Sequence, residues 1–264
     1  MKNAPFHFVP LPRSRSTRKP RASGRTMMID DGLPLGLAKD IVELSGDYID
    51  LAKIKTGTAR FYSRALLQKK LKLYKKHRIQ PFLGGQFHEY VFATQGEKAL
   101  AQYYVEARAL GFQAIEISDN TVPLTDAQRR SQIRAAVKAG LIVYGEVGSK
   151  ETMSNPKLLI GQARICFDAG AALVLVEAAE LVEKGKLRKK TIDLLVKSLD
   201  MSRVMIELPG PWISDVRSCD IEDMKKALVQ ALGPDVNLAN VPPSSIIDTE
   251  ATRTGLGTAG PLKN

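Results

Sequence analysis

Short runs rich in β-branched and aliphatic residues recur eight times along this chain, and each is followed by a longer stretch with helical periodicity. Repeated units of this kind are typical of a parallel sheet whose strands are connected by helices. Eight units close into a barrel more naturally than into an open doubly wound sheet. We therefore predict an α/β fold, a (β/α)8 TIM barrel, with strands at 26–30, 48–53, 79–83, 113–117, 141–146, 172–177, 203–207 and 235–238.

Helical periodicity predicts the connecting helices at 35–44, 64–77, 97–110, 125–139, 156–169, 189–199, 221–232 and 244–254. Several of these stretches end in a glycine just before the next strand, as at Gly111 and Gly170, where a left-handed residue is expected to terminate the helix. The length of 264 residues fits a barrel that forms one domain.

The first 25 residues contain seven basic residues, four prolines and no acidic residue. A segment of this composition is expected to be disordered, so we assign 1–25 as a disordered basic arm and 26–264 as the barrel domain. Such an arm could contact nucleic acid or an anionic membrane, or act as an organellar transit peptide. Of the 39 basic residues, 32 remain when the arm's seven are left out, and these exceed the 28 acidic residues only slightly, so nucleic-acid binding ranks low.

Several classes of protein are excluded by the absence of their signals. The chain has no run of 18 apolar residues and no apolar segment of a secretory signal, so a cytoplasmic location without membrane contact is expected. It has neither a G-x-G-x-x-G nor a P-loop sequence, and its two cysteines do not form a C-x-x-C pair.

Charged and amide side chains terminate most of the predicted strands, and in a barrel such side chains line the mouth where catalysis occurs. They are Asp30, Asp31, Lys53, Lys55, Glu116, Asp119, Glu146, Lys150, Glu177, Glu207, Asn237 and Asn240. Any one of them alone is equally consistent with a helix cap or a salt bridge. Four glutamates in one cleft, however, are unfavourable unless a cation or a positive side chain lies among them.

Mg2+ is bound by oxygen ligands, chiefly carboxylates and water. The candidate ligands are Glu116, Glu146, Glu177 and Glu207. Lys150 follows Glu146 by four positions on a glycine-containing loop, and a lysine beside a metal in a partly dry pocket can transfer protons. These residues predict a metal-assisted barrel enzyme.

A small anionic substrate has separate candidate ligands. Backbone amides in glycine-bearing loops suit phosphate or carboxylate, and barrels often bind phosphate beside strands 7 and 8. The candidates are Gly84-Gly85 after strand 3, Lys53 after strand 2, and the stretch Asn237-Leu238-Ala239-Asn240.

Six short motifs occur in order along the barrel: Asp31-Gly32-Leu33-Pro34, Gly46-Asp47-Tyr48-Ile49-Asp50 with Lys53 and Gly57-Thr58, Gly84-Gly85 with Glu89-Tyr90, Glu116-Ile117-Ser118-Asp119, Glu146-Val147-Gly148 with Lys150, and Asn237-Leu238-Ala239-Asn240. Between about residues 26 and 256, these motifs resemble the phosphosulfolactate synthase family. Each motif is short, but their ordered spacing is specific.

The resemblance implies a Mg2+-dependent lyase that adds sulfite to C3 of phosphoenolpyruvate, giving (2R)-phospho-3-sulfolactate in a route to coenzyme M. It implies Lys150 as the proton donor, with Glu146 also catalytic. The expected substrate ligands in the matching motifs are Lys53, Gly84, Gly85, Ser118, Asn237 and Asn240, and Lys55, where the chain departs from the family, is a further candidate. We expect a cytoplasmic homo-oligomer whose partners are these small anions.

The chain also departs from the family pattern. After strand 6 the family has a Glu-Gly-Arg-Glu-Ser-Gly loop, whereas this chain reads Glu177-Ala178-Ala179-Glu180-Leu181 and lacks the arginine. The loss of a charge-assisted contact of this kind weakens the binding free energy of an anion by about 1.5 to 3 kcal/mol. Lys55 could supply the missing charge. The alternatives are a lyase or isomerase acting on another small phosphorylated or carboxylated acid, and a non-enzymatic protein like the heat-stress-associated member of the family in plants.

Overall fold

The computed structural model of the protein describes residues 5–11, 15–148, 155–183, 186–210 and 216–257. Eight strands in these ranges form one closed, all-parallel barrel, in which the first strand pairs with both the second and the last. They are β1 (Thr26–Asp30), β2 (Leu51–Ile54), β3 (Gln80–Leu83), β4 (Ala114–Ile117), β5 (Ile142–Val147), β6 (Leu173–Glu177), β7 (Val204–Glu207) and β8 (Leu238–Val241). The predicted (β/α)8 barrel is confirmed.

Two apolar layers hold the barrel together, because successive side chains of a strand point to opposite faces. One layer fills the inside of the barrel and consists of Met27, Leu51, Phe82, Ala114, Tyr144, Leu173, Leu175, Met205 and Ala239. The other, larger layer lies between the strands and the surrounding helices. Phe82 and Tyr144 meet edge to face inside the barrel, with ring centroids 4.9 Å apart.

The helices surround the barrel within a few residues of their predicted positions. They are α1 (Leu35–Ser45), α2 (Arg64–Lys76), α3 (Gly85–Gln95), α4 (Glu97–Leu110), α5 (Asp126–Lys138), α6 (Pro156–Ala169), α7 (Lys189–Ser198), α8 (Ser218–Leu232) and α9 (Ile246–Thr254). Gly111 and Gly170 end α4 and α6 in the left-handed region, as predicted. No helix in the described ranges is long and apolar enough to cross a membrane.

Helix α3 is absent from the prediction and adds a second helix between β3 and β4. It begins directly at Gly85, one residue after its cap Gly84, and ends where Gly96 separates it from α4. Its buried side chains are mostly small or polar, among them His88 and Glu89. The segment therefore lacks the apolar stripe from which a helix is recognised in a sequence.

Strands β2 and β8 lie further along the chain than predicted. The prediction for β8 was 235–238, whereas the strand spans Leu238–Val241 and pairs through Leu238 and Ala239 with β7. Pro234 and Asp235 precede it in an irregular segment. This shift of three residues moves Asn237 from the predicted carboxyl end of the strand to its amino end.

The expected disorder of the basic arm does not extend to residues 15–25, which pack against the amino-terminal side of the barrel. Arg15 binds the carboxylate of Glu250, at 2.8 Å, and Arg21 binds Asp50, at 2.9 Å. The ammonium group of Lys19 donates to backbone carbonyls of Gly46, Ile49 and His77. Burial lowers the pKa of Lys19 to about 8. Composition predicted disorder because it does not reveal acidic partners that lie far away in the sequence.

Candidate active site

The alternation of side chains along the strands explains why charged residues converge on the barrel mouth. Leu51, Ala114, Tyr144, Leu175 and Met205 all belong to the layer inside the barrel. The residue two positions after each faces the same side, one layer closer to the carboxyl ends of the strands. Those residues are Lys53, Glu116, Glu146, Glu177 and Glu207, and all five are buried.

Three of the glutamates form a tight cluster with Lys53. Carboxylate oxygens of Glu116, Glu146 and Glu207 all lie within 4.8 Å of one another. The Lys53 ammonium lies 2.8 Å from Glu116 Oε2 and 2.9 Å from Glu207 Oε1. Glu177 is paired with Glu207 in the strand register but is not a member of this cluster. Of the four predicted metal ligands, the structure therefore brings three together.

The charges of this cluster act strongly on one another because all four side chains are buried. Burial raises the pKa of Glu116, and the positive charge of Lys53 opposes this rise. The negative charges of Glu146 and Glu207 raise the pKa further, so that it stands well above its ordinary value. Burial alone would lower the pKa of Lys53, but the charges of the glutamates outweigh it, and the pKa stands well above its ordinary value. Lys53 therefore remains a cation, and the carboxylates favour additional positive charge.

The donor set fits a hard divalent cation. Three carboxylates supply the oxygen ligands that Mg2+ prefers, and their oxygens are close enough together to share one ion. A bound cation would also relieve the repulsion that raises the pKa of Glu116.

The two glycines at the start of α3 shape the cluster in a different way from the one predicted. The Gly85 amide donates to Glu116 Oε1, at 2.9 Å, and the Gly84 amide donates to the carbonyl of Ile54. A Cβ on Gly85 would lie only 2.1 Å from Ser118 Oγ. Both amides thus donate to acceptors within the protein in this structure. The Gly85 amide binds Glu116, and the Gly84 amide binds the end of β2.

The loop after β4 contributes a residue that the sequence analysis missed. Asn120 Nδ2 donates to Glu146 Oε1, at 2.7 Å. Ser118, predicted as a substrate ligand, instead donates its hydroxyl to the buried carboxylate of Glu89. The position of Asn120 four residues after Glu116 is the only sequence signal that could have revealed it.

Asn240 lies at the carboxyl end of β8, beside the cluster. Its backbone is left-handed, with φ 58°, and its Nδ2 donates to the Leu208 carbonyl. Its buried Oδ1 has no hydrogen-bond partner among the described residues. Lys55 and Thr56, the latter also left-handed at φ 49°, line the same cavity of about 30 Å3, which has room for about one water molecule. A buried acceptor without a partner is costly, so Asn240 is well placed to accept a hydrogen bond from a ligand.

One predicted site residue, Asn237, lies away from this mouth. Asn237 lies at the opposite end of the barrel, where Nδ2 donates to the Val204 carbonyl and Oδ1 accepts from the Arg25 amide. The prediction was wrong because β8 begins later than expected. Lys150 lies outside the described residues. The nearby Gly148 is left-handed, with φ 103°, and packs so closely against Glu180 that a Cβ would lie 2.9 Å from Glu180 Cγ.

Asp30 also ends a strand but faces outward, away from the mouth. Its carboxylate accepts hydrogen bonds from Lys70 Nζ and Tyr74 Oη, both on α2. Amides of Gly32 and Leu33 complete its partners. Asp30 therefore fixes α2 against the end of β1.

A larger cavity, of about 480 Å3, lies outside the barrel beside α2, α3 and α4, where Leu67, Phe87 and Tyr103 line it. It shares no lining residue with the acidic cavity. Size alone therefore does not identify the site, which is defined by its charged groups.

The fold and the cluster define a (β/α)8-barrel protein with a buried lysine and three glutamates at the mouth. The family model of (2R)-phospho-3-sulfolactate synthase (ComA) matches residues 14–258. The chain belongs to this family.

Individual relatives agree with this assignment. Phosphosulfolactate synthase of Methanothermobacter thermautotrophicus is 33% identical over 95% of each chain, and that of Methanocaldococcus jannaschii is 31% identical over 88% of this chain and 92% of the relative. Protein HEAT-STRESS-ASSOCIATED 32 of Arabidopsis thaliana is 24% identical over 89% of this chain and 87% of the relative. Phosphosulfolactate synthases are lyase-type enzymes.

Solved structures show the same fold at low sequence identity. 3-Hexulose-6-phosphate synthase from Salmonella typhimurium superimposes with a TM-score of 0.52 at 16% identity, covering 87% of this chain and 94% of that one. This likeness concerns the barrel alone.

Proposed function

We propose that this protein is a phosphosulfolactate synthase that adds sulfite to C3 of phosphoenolpyruvate and gives (2R)-phospho-3-sulfolactate. The observation that carries the proposal is the buried cluster of Lys53 with Glu116, Glu146 and Glu207, at the mouth of a barrel of this family. We propose Mg2+ as the cofactor, and coenzyme M synthesis as the setting.

The reaction forms one bond between sulfur and carbon. A lone pair of sulfite attacks C3, the π electrons of the C2–C3 bond move towards C2 and the carboxylate, and a proton is then added at C2. Mg2+ bound by Glu116, Glu146 and Glu207 would supply positive charge against the substrate carboxylate. Nothing leaves, so the phosphate stays on the product.

The residues of the chain have separable roles in this proposal. Lys53 keeps Glu116 and Glu207 paired with a positive charge in a dry site, and Gly85 holds Glu116 by its amide. Lys150 is proposed as the acid that protonates C2, with Glu146 beside it in the sequence. Glu177 remains a proposed fourth carboxylate on the neighbouring strand.

The anionic groups of the substrate need positive charge and hydrogen-bond partners at the rim. Lys55 and Asn240 line the cavity next to the cluster. The Lys55 ammonium group can donate to an anion, whereas Asn240 would have to donate through Nδ2, which in this structure donates to the Leu208 carbonyl. Lys55 is proposed to replace the arginine that the loop after β6 lacks. That loop forms a short 3-10 turn, Ala178–Leu181, which contains no basic residue.

A different small acid is the second candidate for the same site. The altered loop after β6 favours this candidate. The loss of one charge-assisted contact changes the affinity for an anion that used it by about 10- to 100-fold relative to other anions. A non-enzymatic role, as an alternative, would give the buried Lys53 and glutamates no chemical purpose. We also propose a cytoplasmic homo-oligomer.

The test is incubation of the purified protein with phosphoenolpyruvate, sulfite and Mg2+, followed by mass analysis. Phosphosulfolactate is the expected product, and a chelator should abolish its formation. Absence of product at high protein concentration contradicts the proposal, and turnover of another phosphorylated or carboxylated acid in the same assay would support the second candidate.

A further inference from the structure

Glu89, on α3, is buried and takes no part in the reaction proposed above. Its carboxylate accepts five hydrogen bonds, all from the loop that follows β4. Oε1 accepts from Ser118 Oγ and the Asn120 amide, whereas Oε2 accepts from the amides of Thr121 and Val122 and from Thr121 Oγ1. One side chain therefore holds three consecutive amides of a loop that has no regular secondary structure.

That loop connects Glu89 with the acidic cluster. Asn120 donates its backbone amide to Glu89 Oε1, at 3.2 Å, and its side-chain amide to Glu146 Oε1, at 2.7 Å. Glu146 is one of the three clustered carboxylates. The orientation of its carboxylate thus depends on Asn120, and the position of Asn120 depends on Glu89.

We propose that Glu89 is a positioning residue, which fixes the loop after β4 so that Asn120 orients Glu146 in the acidic cluster. Residues that orient the ligands of a metal typically change affinity or activity 10- to 100-fold when they are replaced. The inference rests on the proposed function for its effect on metal binding, because the metal site is itself proposed, and it does not rest on it for the position of Asn120.

Glutamine is an informative replacement for Glu89 because of the groups that donate hydrogen bonds to the carboxylate. Hydroxyl groups can turn to accept a hydrogen bond, but the three backbone amides can only donate. A glutamine at 89 places its NH2 group against at least one of these amides. The arrangement with the fewest conflicts puts the NH2 group beside the Asn120 amide, because the Oε2 position faces two amides.

The experiment compares Glu89→Gln, Asn120→Ala and the double variant. Mn2+ serves as the probe for the proposed Mg2+ site. We expect each single variant to weaken Mn2+ binding about 10- to 100-fold. If Glu89 acts through Asn120, the double variant should be no weaker than Asn120→Ala alone. Thr121→Val, which removes one of the five contacts and keeps all three amides, should bind Mn2+ like the wild type. Effects of the two single replacements that add in full would overturn the proposal.

A spectroscopic measurement separates this proposal from the proposed reaction. In 15N-labelled protein, the side-chain amide resonances of Asn120 should shift in Glu89→Gln and stay unchanged in Thr121→Val, with neither sulfite nor phosphoenolpyruvate present. Unchanged Asn120 resonances in Glu89→Gln would overturn the positioning role. Shifted resonances in a protein that forms no phosphosulfolactate would support the positioning role and contradict the reaction.

If Glu89→Gln does not fold, a second variant, Glu89→Asp, tests the same proposal. Glu89→Asp keeps the charge but is shorter by one methylene, so it cannot reach all five donors. We expect an intermediate loss of Mn2+ affinity and an intermediate shift of the Asn120 side-chain resonances. Wild-type values for both would overturn the proposal.

Discussion

Lys53 on β2 reaches across the barrel mouth to Glu207 on β7, and its ammonium lies 2.9 Å from Glu207 Oε1 although the residues are 154 positions apart. The same nitrogen lies 2.8 Å from Glu116. One buried cation thus joins three strands, β2, β4 and β7, none of which is a neighbour of another in the barrel. This geometry makes Lys53 a structural centre of the acidic cluster.

Replacing Lys53 by methionine should destabilise the protein and abolish turnover. Removal of one partner of a buried ion pair typically costs about 3 to 5 kcal/mol, because the other charges are left uncompensated. Urea unfolding measures this cost, and Lys69→Met, at an exposed position on α2, is the matched control. A Lys53→Met variant as stable as the Lys69→Met control would contradict the paired cluster.

Gly85→Ala should displace the side chains of Glu116 and Ser118, because the added methyl group has no room between them. The added Cβ would lie 2.8 Å from Ser118 Cβ and 2.9 Å from Glu116 Oε1, so both side chains must move. Overpacking of this kind costs about 1 to 3 kcal/mol. Gly161→Ala lies in the interior of α6, where no described atom outside that stretch of the helix lies within 4 Å of the new Cβ, and should instead stabilise the protein by about 0.5 to 1 kcal/mol. Thermal unfolding of the two variants should therefore shift in opposite directions.

Arg21→Ala tests whether the arm is part of the folded protein. Arg21 pairs with Asp50, which also accepts the amide of Thr26 at the start of β1. Loss of this buried pair should lower the free energy of unfolding by about 3 to 5 kcal/mol. Arg18, three residues away, is exposed, and Arg18→Ala should change it by less than about 0.5 kcal/mol. Equal stability of the two variants would show that the pair of Arg21 with Asp50 contributes nothing to the stability of the fold.

His88 predicts a dependence of stability on acid pH. Burial lowers the pKa of His88 from 6.5 to about 4, and its Nε2 lies 2.9 Å from Tyr104 Oη. Between pH 6.5 and pH 4 the unfolded chain binds a proton that the folded chain does not, so stability is full above pH 6.5 and falls as the pH falls.

This contribution amounts to about 2 kcal/mol between pH 7 and pH 5. The measurement is urea unfolding of the wild type and of His88→Gln at both pH values. The variant should lose about 2 kcal/mol less than the wild type over this interval. Equal losses would show that folding does not lower the pKa of His88.

The mouth of the barrel could be predicted from the sequence because strand alternation is a local property. Leu51 inside the barrel implies Lys53 in the mouth, and Met205 implies Glu207, without any knowledge of the other strands. The predicted ends of β1, β3, β4, β6 and β7 agree with the structure for the same reason.

Other parts of the site depend on contacts between distant residues. Asn237 was misplaced because the run from Val236 to Val241 allows more than one start for β8, and only its pairing with β7 fixes the start. The partners of Gly85 and Ser118 within the protein, Glu116 and Glu89, could not be predicted because they are approached only after folding, and the assignment of both residues to a substrate stays a prediction. Residues 15–25 seemed unstructured from their composition because Asp50 and Glu250 are distant in the sequence.

The rate of phosphosulfolactate formation by the wild type and by Glu207→Gln tests the central claim most directly. Glu207 contributes one of the three clustered carboxylates and contacts Lys53. Loss of several kcal/mol of charge stabilisation corresponds to a rate lower by about 100-fold or more. We predict product from the wild type with phosphoenolpyruvate, sulfite and Mg2+, and at least this loss in a folded Glu207→Gln variant. Equal rates of product formation, or no product from the wild type, would contradict the account.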